Sequence, residues 1–208
     1  MDERGMMLTS AIFKPGKTMR GLLEMKHPAR RAILAVGGVG FLYIITSAIL
    51  AVTGAVPTAP VFFGMGPDNY YFWQMIFVLP MTLTAWLVAA GVIRVLEGRE
   101  KDGPGFGGTV ALAGVALSSS LFLAWIPSAV EAAFMAFGMG QGEWVDLLSN
   151  PGPGQTAYLV FYAVAAALAL RNFMLAARLL RKKSGLGVVM AGLAASAVAI
   201  GAYVAFIR

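Results

Sequence analysis

Two ionisable residues, Glu131 and Arg171, stand inside or beside long apolar stretches of this 208-residue chain, and a charge in apolar surroundings is the first place to look for chemistry. Glu131 follows Pro127 by about one helical turn. If Ser128 to Phe137 leaves the apolar layer and lies along its edge, Glu131 is simply wet, and this is the favoured reading. If the segment folds back, the carboxylate becomes a candidate for binding an ion or a polar substrate. Arg171, followed by Asn172, lies one to two turns inside Arg178 and Arg181. It can stretch its guanidinium towards the polar edge, the preferred expectation, or pair with Asn172 and backbone carbonyls of a neighbouring helix. A Glu131–Arg171 pair is not expected, because the two fall on opposite leaflets.

Other chemistry is sparse. There is no Cys, and the single His is His27, far from the apolar stretches' interior. Ser118, Ser119 and Ser120 form a run with no visible base, so they are read as bonding to nearby backbone carbonyls rather than as nucleophiles. Neither a Gly-x-x-x-x-Gly-Lys phosphate loop nor a His-Glu-x-x-His zinc motif occurs. Glu97, Glu100 and Asp102 are the one close set of acids, but the intermixed bases and Gly103-Pro104-Gly105 read as a solvated turn. The chain is therefore read as non-enzymatic, with no catalytic residue, metal, cofactor or nucleic-acid site.

The elements that carry these residues are five apolar stretches, about 32–56, 71–93, 108–126, 157–174 and 188–207, each near the roughly 20 residues a helix needs to cross hydrocarbon. Hydrophobic residues make up 59% of the chain and charged ones 12%, about half the charged share of a soluble domain. The stretches are too long and too uniformly apolar for barrel strands. The expected fold is thus an all-α integral membrane protein: a cytoplasmic segment, 1–30, carrying an amphipathic helix, and a five-helix transmembrane domain, 31–208.

Orientation follows from Lys and Arg. Seven precede the first span, Arg94, Arg99 and Lys101 follow the second, and Arg171, Arg178, Arg181, Lys182 and Lys183 close the fourth. The other two loops carry only acids: Asp68 in one, and Glu131, Glu143 and Asp146 in the other. An N-terminus in the cytoplasm and a C-terminus outside are expected. The first span has too long a leading segment and core for a cleaved signal, so it is read as an anchor. The abundance of Ala and Gly suggests a bacterial cytoplasmic membrane.

Within the leading segment Pro15 suits a first helical turn. Met19, Leu22 and Leu23 share a face, while Lys14, Lys17, Arg20, Lys26, Arg30 and Arg31 supply charge for anionic lipid or a protein partner. Tyr70, Tyr71 and Trp73 are expected at headgroup level, with Trp144, Val145, Leu147 and Leu148 touching the outer headgroups. Pro80 is expected to kink the second span and Pro127 to break the third. Residues 138–156, with Asn150-Pro151-Gly152-Pro153-Gly154, read as irregular. Gly37, Gly38 and Gly40, Ala165 to Ala167, and the pairs Gly192/Ser196 and Ala197/Gly201 suit close helix packing in lipid.

The run Phe13-Lys14-Pro15-Gly16-Lys17-Thr18-Met19-Arg20-Gly21-Leu22-Leu23 and the following His27-Pro28 resemble the opening of bacterial members of the Ypt/Rab-interacting protein family, the Yip-one domain. Gly107-Gly108 leading to Ile126-Pro127, and Leu168-Ala169-Leu170-Arg171 before a basic turn, are similar to its second half. The resemblance implies a polytopic membrane protein with a cytoplasmic N-terminus and no assigned catalytic residues. Eukaryotic relatives bind prenylated small GTPases, a role with no counterpart residues here. Three expectations follow: a scaffold or adaptor, which is preferred; a small-molecule, ion or lipid transporter or lipid-handling protein, with Pro80, Pro127, Glu131 and Arg171 lining a path; and, third, an enzyme acting on membrane lipid.

Overall fold

The structure, a computed structural model, describes residues 9–57, 67–97, 104–180 and 185–206. Arg4, Met6, Met7, Pro60, Arg99, Glu100, Lys101, Asp102, Arg181, Lys182, Lys183 and Arg208 lie outside them. Among the described residues every regular element is helical: α1 (Pro15–Leu23), α2 (Pro28–Val52), a 3-10 turn (Pro67–Asn69), α3 (Tyr70–Glu97), α4 (Phe106–Ala136), α5 (Gln141–Ser149), α6 (Pro153–Leu180) and α7 (Leu186–Phe206). Five of them, α2, α3, α4, α6 and α7, are long and apolar enough to cross a membrane. Their positions agree with the five apolar stretches, and the architecture is that of a multi-pass membrane protein.

Local chemistry sets the ends. Pro15 and Pro28 occupy the first turns of α1 and α2, where the missing amide proton would have no helical acceptor. At the other end of α2, Gly54 takes φ +70. Its N–H reaches the Ala51 carbonyl at 3.3 Å, and that of Ala55 reaches Leu50 at 2.9 Å. This left-handed closure satisfies the final carbonyls, so the helix stops at Val52 and not at Val56. Gly138, φ +93, ends α4 in the same way, with Gly138 N–H to Met135 O at 3.1 Å and Met139 N–H to Phe134 O at 3.0 Å.

Three expectations need correction. The third span does not break at Pro127: α4 runs unbroken for 31 residues with Pro127 inside it, and Ser128 to Ala136 belongs to the helix. A proline forfeits one helical bond, but a helix packed among others has no solvent to end in and continues through it. Residues 138–156 are not irregular throughout, since α5 occupies Gln141–Ser149. Trp144 does not reach the outer surface but is buried in the protein; Tyr70 and Tyr71 are buried too, whereas Trp73 is exposed. Pro80 lies inside α3.

Helix α4 is central. Of its most apolar 18-residue window 78% is buried, against 33–44% for the other four long helices. It packs on α1, α2, α3 and α6, and α7 packs on α3 and α6. Gly114 allows this approach: a Cβ there would lie 2.7 Å from Ala32 Cβ and 2.9 Å from Trp86 Nε1. Polar staples then fix the neighbours to α4. Trp86 Nε1 donates to Val110 O at 2.8 Å, Tyr43 Oη to Leu121 O at 3.2 Å, and Trp125 Nε1 to Thr46 Oγ1 at 2.8 Å. Gln141 clips the neighbouring loop by bonding both the N–H and the C=O of Val56, at 3.1 and 2.8 Å.

Candidate functional site

The helices bring together residues that are far apart in sequence. All six tyrosines of the chain lie in the half of the bundle where α2 and α4 finish. Tyr158 and Tyr162, one turn apart on α6, have ring centroids 4.9 Å apart; Tyr162 and Tyr203 of α7 are 6.0 Å apart, and Tyr203 and Tyr43 of α2 are 6.4 Å apart. Tyr70 and Tyr71, at the start of α3, meet at 5.3 Å. Such edge-on and tilted pairs match the electrostatics of aromatic rings.

Glu131 lies among them. It is fully buried, which overturns the expectation of a wet carboxylate, and the cause is the unbroken α4: with no turn at Pro127, the face carrying Ser128 and Glu131 stays against α3 and α6. Tyr71 Oη donates to Glu131 Oε1 at 3.3 Å, and Tyr162 lies beside Ser128 and Glu131. A second polar pair, Ser47 Oγ to Gln74 Oε1 at 2.8 Å, joins α2 to α3.

Beside the tyrosines is a partly open cavity of about 350 Å³, within the range of small-molecule sites. One wall is α4, with Leu117, Ser120, Leu121 and Ala124; the other two are α6 and α7. Its room comes from small side chains, Ala165, Ala166 and Ala169 on α6 and Ala199 on α7. Helices α6 and α7 meet elsewhere, at Gly192, where a Cβ would stand 2.7 Å from Met174 Cα. The cavity fills the space between their other halves, where Tyr158, Tyr162 and Tyr203 line it. The Tyr203 hydroxyl is buried beside those of Tyr162 and Tyr43.

Arg171 serves a different purpose. Its Nε donates to Asn172 Oδ1 at 3.1 Å and its Nη2 to Ile12 O at 2.6 Å, while Asn172 Nδ2 donates to Ser119 Oγ at 2.8 Å. Arg171 makes the contacts of the pairing alternative while its side chain stays exposed. A relay from Ser119 through Asn172 and Arg171 ties the leading segment to the bundle, and Met19 and Leu22 of α1 are buried with it. Lys14, Lys17, Arg20, Lys26, Arg30 and Arg31 all remain exposed. Neither Glu131 nor Arg171 lines the cavity.

The serine run behaves as read: Ser118 and Ser119 bond to Val115 O, and Ser120 to Leu117 O, at 2.8–3.4 Å. Among the described residues no three His, Asp or Glu side chains converge as metal ligands would. Sequence reasoning missed the tyrosine cluster and Gln74. The usable signal was a set of hydroxyl and amide groups inside spans where such groups need partners. Of the small-residue pairs, Gly192/Ser196 is buried against α6, whereas Ala197/Gly201 faces outward. Compared with known proteins, the chain matches no family model, no curated protein and no solved structure.

Proposed function

We propose that this protein handles lipid, holding one chain of an amphiphile in the cavity between α4, α6 and α7. The observation that carries this is an alanine-walled apolar space with the side chains of Tyr158, Tyr162 and Tyr203 at its margin. An acyl chain suits the walls, and an ester oxygen suits a tyrosine hydroxyl. The proposal includes a bacterial cytoplasmic membrane, an N-terminus in the cytoplasm, a C-terminus outside, α1 on the inner surface and kinship with the Yip-one domain proteins. The supports are the distribution of Lys and Arg, the Phe13–Leu23 run and the five-helix layout.

The test is native mass spectrometry of the protein taken from its membrane in mild detergent. Ala166 lines the cavity and Ala167, its neighbour, is exposed, so Ala166→Trp fills the space and Ala167→Trp does not. Wild type and Ala167→Trp should retain lipid and Ala166→Trp should lose it. Equal retention by all three would refute the reading.

A second reading, a scaffold that receives a protein partner, is favoured by one observation: six basic side chains stay exposed on a segment fixed to the bundle. Affinity capture with Lys17, Arg20 and Lys26 changed to Gln tests it. A reproducible partner lost in the variant supports the scaffold, and identical captures from variant and wild type oppose it.

A further inference from the structure

At the end of the bundle opposite the tyrosines, α2 and α4 begin around one open cleft of about 580 Å³. Lys26, His27 and Arg30 line it from the α2 side, and Gly105 and Gly107 from the α4 side. Neither helix has a side-chain cap or an acidic residue in its first turn. First-turn amides lack helical acceptors and carry the positive end of the helix dipole. Two such ends therefore add to the charges of Lys26 and Arg30, and among the described residues no acid lines the cleft. Thr109, next to the cleft-lining Gly108, is fully buried, and its Oγ1 has no hydrogen-bond partner among the described residues. Space is available at the glycines, since a Cβ at Gly105 or Gly107 would meet nothing within 4 Å.

We infer that this cleft binds the phosphate of an anionic membrane lipid. The chemistry required is that of a phosphate: oxygens for backbone amides, and negative charge for the lysine, the arginine and the helix ends. A lipid rather than a soluble phosphate is the occupant because α2 and α4 are two of the five membrane-length helices, so their first turns lie at headgroup depth, where basic clefts between spans take lipid phosphates. The inference rests on those helices being spans, and not on the lipid chain proposed for the cavity at the other end.

The experiment titrates the full-length protein, in a neutral detergent, with short-chain phosphatidylglycerol, and in a separate arm with glycerol 3-phosphate, by calorimetry. Three variants accompany wild type. Lys26→Gln/Arg30→Gln removes two charges from the cleft, and Lys14→Gln/Lys17→Gln removes two from outside it. Gly107→Glu places an acid in the cleft where nothing obstructs a side chain, and an acid in a first turn favours the helix, so its thermal unfolding should match wild type. The cleft variants should bind phosphatidylglycerol about fivefold more weakly per charge removed, the outer pair should shift by less than half as much, and glycerol 3-phosphate should bind far more weakly than the lipid. Equal losses from the two charge pairs would reduce the site to diffuse surface charge and overturn the inference. Unchanged binding by Gly107→Glu would also overturn it, as would glycerol 3-phosphate binding as tightly as the lipid.

Discussion

Gly192→Ala and Gly201→Ala add the same methyl group to the same helix, and only one of the two methyls has space. At Gly192 the new carbon would lie 2.6 Å from Met174 Cγ, 2.7 Å from its Cα and 2.9 Å from its N. The side-chain atom can swing away, but the backbone atoms cannot. Ordinary contact begins at 3.4 Å, so α7 must back away from α6 by about 0.7 Å, the difference between 3.4 and 2.7 Å. Overpacking of this kind costs about 1–3 kcal/mol. At Gly201 nothing lies within 4 Å. Alanine favours the helix over glycine by about 1 kcal/mol at both sites, and that gain cancels in the comparison. Gly192→Ala should therefore be less stable than Gly201→Ala by about 1–3 kcal/mol, measured by reversible unfolding in mixed micelles followed by circular dichroism. Agreement of the two variants within about 0.5 kcal/mol would refute the close approach of α6 and α7 at Met174.

Three other outcomes follow from the same contacts. Glu131→Gln keeps an oxygen for the Tyr71 hydroxyl and removes the cost of burying a charge, so its unfolding free energy should equal or exceed that of wild type. A loss above about 2 kcal/mol would mean that the carboxylate charge itself is needed. Arg171→Gln breaks the bond to Ile12 O, and trypsin added to inside-out vesicles should cut at Lys14, Lys17 and Arg20 severalfold faster than in wild type; an unchanged rate would remove Arg171 from the docking of the leading segment. Reporter fusions after Asn69 and Gly142 should read outside, and those after Asp102 and Gly185 inside, with a reversed result at Gly185 contradicting the five-span order.

The spans were legible because length and uniform apolarity alone decide whether a helix can cross hydrocarbon, and the stops at Gly54 and Gly138 carry the glycine that a left-handed closure requires. What the sequence could not show is which span is central. Helix α4 is apolar on every side, so no face marks its neighbours, and Pro127 read as a break although the helix continues through it. That one misjudged proline also misplaced Glu131. Arg171 found its acceptor at Ile12, 159 residues away, and the tyrosine cluster draws on four helices, relations that no local pattern records. The basic residues were legible as a group, but their division was not: Lys26 and Arg30 line a cleft that Lys14 and Lys17 do not.

The two lipid sites proposed lie at opposite ends of the bundle and make different demands. The basic cleft needs charge and open backbone, which glycines provide. The cavity needs missing volume, which alanines provide, and filling it should affect chain binding without disturbing the cleft. That separation makes the cavity testable by itself. Because the chain contains no Cys, a single introduced thiol reports on one position. The most direct measurement is the alkylation rate of Ala166→Cys by a small apolar maleimide in detergent, with and without added phospholipid, beside the same measurement on Ala167→Cys. A lipid chain seated between α4, α6 and α7 predicts protection of position 166 by severalfold and little change at 167. Equal rates at 166 with and without lipid would contradict the proposal that this space holds a lipid.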